Sequence, residues 1–227
     1  MGSVYLALFS LKEYFRASFL YMETLLLAVV LFFFGKRFWE LGAQDVFPVL
    51  GFFALVVTIV STLRITGRET NSRIYILMTK KLSRLTYLCG KALAVFLLDG
   101  LFVLGLFVLA FVFTKLGAEI SLTAAVLRLI PIMFVIILTE SVFLLFSALV
   151  LGNPVFIAGI VLSVLGVNQP DYIPVYLLLP FKQLIRSSYI PRSISVESGL
   201  LTAFYITLFF ALACLIFSRR ELDYKSK

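Results

Sequence analysis

From Tyr87 to Thr114 the chain runs through apolar side chains interrupted by two charges, Lys91 and Asp99. A run of this kind decides which solvent the chain is built for. A helix that crosses a bilayer needs about 17–25 mostly apolar residues, because each residue rises about 1.5 Å across a core about 30 Å thick. Six candidate spans are read along the chain: 18–34, 46–63, 87–114, 126–151, 155–167 and 199–218. The fifth follows the break at Gly152–Pro154 and is the shortest, reaching only about 20 Å. The expectation is an all-α, polytopic membrane protein with six transmembrane helices in one domain, 1–227.

Composition agrees. Hydrophobic residues make up 62% of the chain and charged residues 14%, against about half and about a quarter in soluble domains. Little chain is left for a water-facing catalytic domain. Lys12, Glu13 and Arg16 follow a short apolar patch with no small-residue cleavage site, so the first span is expected to act as an uncleaved signal. The two cysteines, Cys89 and Cys214, imply no disulfide framework.

The net charge of +8 has a topological reading. With both termini in the cytoplasm, thirteen basic residues lie inside: Lys12, Arg16, Arg64, Arg68, Arg73, Lys80, Lys81, Arg84, Lys91, Arg219, Arg220, Lys225 and Lys227. Seven lie outside: Lys36, Arg37, Lys115, Arg128, Lys182, Arg186 and Arg192. The positive-inside rule favours this orientation in the cell membrane. It also puts both thiols near cytoplasmic ends of spans, where they stay reduced.

Residues 4–17 carry Leu8, Leu11 and Phe15 on one side and Lys12, Glu13 and Arg16 on another. This predicts either an interfacial helix lying in the membrane plane or an extension of the first span. The loop 168–198 holds four of the seven prolines, Pro170, Pro174, Pro180 and Pro191, around the short apolar run "VYLLLPF". It is expected to be extracytoplasmic and to contain a broken or re-entrant segment, which needs protein or water to satisfy its backbone.

Several chemistries are excluded by the residues present. The chain has no histidine, hence no HExxH zinc site and no Ser-His-Asp triad. "FGKR" and "CGKA" lack the earlier glycine of a phosphate-binding loop: Val30 and Leu85 stand in its place. No G-x-S-x-G elbow occurs. No catalytic residue, metal-ligand set or cofactor is assigned, and the chain is not expected to be an enzyme.

Two acids fall within spans, Asp99 and Glu140. Each costs about 2.5–3.5 kcal/mol at the middle of a bilayer, so each should face protein or water. An interhelical hydrogen bond is the plainer role, a substrate or proton site the sharper one. Phe-rich runs such as "LFFFG" are ordinary lipid-facing sequence, and Trp39 beside Lys36 and Arg37 suits an interface anchor.

The densest charge lies in 64–86, between spans two and three. A basic cytoplasmic loop attracts anionic lipid, at about 1 kcal/mol per residue. Charge does not account for Ile74, Leu77 and Met78, which share one helical face with Arg73 and Lys80 off it. Thr70 can cap such a helix and Ser83 the next one. A short amphipathic helix here can lie on lipid or dock in a partner's groove.

With these residues in place, the chain resembles the membrane subunits of ABC transporters, the ABC-2 type permeases. The matching positions are Arg68 and Glu69, Ile74 and Leu77, Ser83 and Arg84, then Tyr87, Gly90 and Lys91. Lys81 departs from a frequent proline, and Asn71 and Ser72 from a common Gly-Thr pair. The resemblance implies a cytoplasmic coupling helix in the central loop, with Thr70, Arg73, Ile74, Leu77, Met78, Lys81, Ser83 and Arg84 docking on a separate P-loop ATPase. It further implies a second permease chain, identical or not, and ATP-driven export by alternating access. Two other readings compete: a proton-coupled secondary transporter using Asp99 and Glu140, weakened by the lack of an internal repeat, and a membrane anchor for a cytosolic partner.

Overall fold

The computed structural model describes residues 2–16, 21, 24–25, 27–29, 40–67, 83–147, 150–151, 156–169, 178–190 and 196–219. Among them, all regular structure is helical. The elements are α1 (Gly2–Arg16), α2 (Ala43–Gly67), α3 (Arg84–Phe113), the single turn α4 (Leu116–Glu119), α5 (Leu122–Leu145), α6 (Phe156–Val167), α7 (Phe181–Tyr189) and α8 (Val196–Arg219). Four of these, α2, α3, α5 and α8, are long and apolar enough to cross a membrane. The apolar α6 has 12 residues, a length of about 18 Å. Most of the first expected span, with the whole 68–82 segment, 170–177 and 191–195, lies outside the described residues.

The four long helices start ahead of the expected spans, for reasons visible in their caps, whereas α5 stops at Leu145, six residues before the expected end at 151. Ser121 Oγ accepts from Ala124 N at 3.3 Å, so α5 starts ahead of its apolar run. Arg64 does not stop α2, which continues to Gly67. A cation in the last turn of a helix is favoured there, because it faces the carbonyl end of the dipole. At its other end α2 begins after Gly42, which has no side chain to cap it. Glu119, from α4, supplies the acceptor: Ala43 N donates to its Oε2 at 2.7 Å.

The bundle is organised around α2, which packs on α3, α5 and α7. Its core joins Phe47, Leu50, Phe53 and Val57 of α2 to Val103 and Phe107 of α3 and Ile132 and Ile136 of α5. α8 leans on α5 and α3 from outside; its most apolar stretch is 17% buried, against 61% for α2. The ends of α5 and α8 meet the start of α3 at one pole of the bundle, hereafter the basic pole, while the end of α2 lies beside Val95, further along α3.

α1 packs lengthwise on the first half of α3. A side chain at Gly90 would meet Leu6 Cδ2 at 2.8 Å and Ser3 O at 3.0 Å. Eight residues on, Tyr14 is buried in one cluster with Ile65, Val95 and Leu98. Both helices therefore advance about 12 Å together from the basic pole into the bundle. α1 thus lies beside the first half of α3 over most of its length.

The loop before α8 is likewise built into the bundle. Phe181, Leu184 and Ser188 of α7 are buried while Arg186 is exposed. Ile185 Cγ1 lies 3.0 Å from where a side chain on Gly51 would begin. Gly51 is eight residues into α2, so α7 reaches about 12 Å along it from the pole opposite the basic one. Lys182 Nζ donates to Gln169 O at 2.7 Å and Gln183 Nε2 to Gln169 Oε1 at 2.8 Å, which satisfies backbone and side chain where α6 has ended.

Candidate functional site

One face of α2 carries three hydroxyls, Thr58, Ser61 and Thr62, all with no exposed surface. They sit at i, i+3 and i+4 and so share a side of the helix. Ser61 Oγ donates to Asp99 Oδ2 at 2.8 Å; its 3.3 Å approach to Thr58 O is the weaker alternative for the same proton. Asp99 is fully buried in the middle of α3. Glu140, 5% exposed on α5, is close enough to Asp99 for the two carboxyls to interact electrostatically. The structure thus brings together the two acids that the sequence left apart.

The neighbouring hydroxyls do not complete the site. Thr139 Oγ1 donates to Val135 O at 2.7 Å and Ser141 Oγ to Ile137 O at 2.7 Å, both back into their own helix. Thr58 Oγ1, Thr62 Oγ1 and Glu140 Oε1 are buried with no hydrogen-bond partner among the described residues. A buried carboxylate is tolerated when donors face it. Here a hydroxyl faces Asp99, while one oxygen of Glu140 is buried with no donor among the described residues. Among the described residues no group of three or more acids or thiols is arranged to hold a metal ion.

Asp99 stands at the middle of α3, about 22 Å along the helix from Arg84. Glu140 lies nearer a helix end, five residues or about 7 Å before the last residue of α5.

The basic pole holds a second constellation. Ser83 caps α3, as its position predicts: its Oγ accepts from Thr86 N at 3.1 Å and lies 2.7 Å from Thr86 Oγ1. Arg84 turns away from α3. Its Nη1 donates to Phe217 O at 3.1 Å and Ser218 O at 2.9 Å, in the last turn of α8. One turn further along α3, the fully buried Tyr87 stacks on Phe217 with ring centroids 6.1 Å apart. Lys91 Nζ lies 5.6 Å from the Tyr87 ring centre.

Of the eight residues expected to dock on an ATPase, Ser83 and Arg84 are described, and both are engaged with the bundle. Thr70, Arg73, Ile74, Leu77, Met78 and Lys81 lie outside the described residues. The grip of Arg84 on α8 was not read from the sequence, although a signal existed. A cation in the first turn of a helix opposes that helix's own dipole. Its presence beside the Ser83 cap points to service at another helix's carbonyl end.

No family model matches the sequence, and no curated protein or solved structure matches it either.

Proposed function

We propose that the chain is the membrane subunit of an ATP-driven ABC transporter of the ABC-2 permease type. It has six spans and cytoplasmic termini in the cell membrane, and works as an exporter with a second permease chain and a separate P-loop ATPase. The observation that carries this reading is the anchoring of the start of α3. It is capped by Ser83, packed against α1 at Gly90 and tied to α8 through Arg84. A push from a partner delivered at the start of α3 passes into three helices. The inward-seated α7 supports the expected re-entrant element between spans five and six. In this reading α6 is the fifth span, and export over import follows from the resemblance alone. The deciding experiment is a pull-down of the tagged chain from native membranes with its partners identified. A P-loop ATPase in stoichiometric amount supports the assignment, and its absence under mild extraction sinks it.

A second reading is favoured by one observation, the joint burial of Asp99 and Glu140. Two acids in one site fit a proton-coupled transporter that needs no ATPase. Flux in proteoliposomes that follows a pH gradient without ATP, and is lost in Asp99→Asn, would establish it against the first reading.

A further inference from the structure

We propose that Arg84 is a positioning residue. It ties the start of α3 to the last turn of α8, so that the two helices move as one unit.

The geometry supplies two fixed points one helical turn apart. The first is polar. The last four carbonyls of a helix have no partner within it, and Arg84 Nη1 reaches two of them, Phe217 O and Ser218 O. A guanidinium satisfies them and also meets the negative end of the dipole. The second is apolar. Tyr87 and Phe217 stack, and Leu88, Ala213 and Phe217 share one buried cluster with Leu144 and Leu145 of α5. One contact alone would let α3 pivot against α8; two contacts a turn apart remove that freedom. The Ser83 cap fixes the start of α3 immediately before the first point. The joint exists whatever moves α3. Only the identity of the driver, an ATPase, rests on the function proposed above.

The test uses the two native thiols. Cys89 and Cys214 lie on these same two helices, next to Leu88 and Ala213 of that shared cluster, both partly accessible and neither in a disulfide. The full chain in lipid nanodiscs is treated with a flexible bifunctional thiol reagent, and the intramolecular cross-link is followed by mass spectrometry. Arg84→Ala is expected to slow cross-linking, because it removes a restraint worth about tenfold in the ratio of joined to separated helices. If that variant does not fold, Arg84→Gln serves instead, with the same direction expected. A wild-type rate in the variant overturns the proposal. A second arm separates coupling from mere stability: in the complex with the co-purified ATPase, ATP with vanadate should leave the wild-type rate unchanged and alter that of the variant. A nucleotide-sensitive wild type overturns the rigid joint. If no ATPase co-purifies, the proposed function fails, and the isolated chain still decides the joint.

Discussion

Ser61 Oγ donates to Asp99 Oδ2 across 2.8 Å and so pins the middle of α3 to α2 inside the bundle. Ser61→Ala removes that donor from a buried carboxyl and is expected to cost about 1.5–3 kcal/mol. Asp99→Asn keeps an acceptor for Ser61 and relieves the repulsion from Glu140, so it should be at least as stable as wild type. Thermal unfolding in detergent ranks the three proteins. A Ser61→Ala variant as stable as wild type would remove the bond from the list of what holds α2 to α3.

Gly90 lets α1 lie against α3. Leucine there would drive into Leu6 Cδ2 and Ser3 O, which stand at 2.8 and 3.0 Å from its first side-chain atom. Such overpacking costs about 1–3 kcal/mol, and detaching α1 is its cheapest relief. Limited proteolysis should therefore cut within residues 2–16 faster in Gly90→Leu, with the rest of the bundle unchanged. Equal cutting rates would mean that α1 is held elsewhere.

Glu119 caps α2 from a different loop. Glu119→Ala should destabilise the start of α2 by about 0.5–2 kcal/mol. Glu119→Gln, which still offers an oxygen to Ala43 N, should lose less. Hydrogen exchange at residues 43–46 measures the difference directly. If Gln and Ala exchange alike, the charge on Glu119 matters and its oxygen does not.

Under the proposed function, Leu77→Asp combined with Met78→Asp should abolish co-purification of the ATPase while the chain still inserts in the membrane. Survival of the complex in this double variant would remove the docking role from that face.

The long helices were legible because an apolar run must be solved as a helix wherever water is absent: α3 and α8 were readable from composition alone. Their ends were less so. Charge was taken as a stop at Arg64, whereas the helix dipole accepts a cation in its last turn. Ser83 could be assigned as a cap because its partner, Thr86 N, is local in sequence. Arg84 and Glu119 could not be, because Ser218 and Ala43 are reached only through the fold. The acids were found as costly residues. How the two sit relative to each other depends on how far α3 slides along α2 and α5, which no local pattern records.

The shortness of α6 has an electrical consequence. It is about 18 Å long, against a bilayer core about 30 Å thick. In the proposed permease, where α6 is the fifth span, water or thinned lipid must reach one of its ends. The insulating layer beside α6 is then thinner than the membrane around it, and a transmembrane voltage falls there over roughly two-thirds of the usual distance.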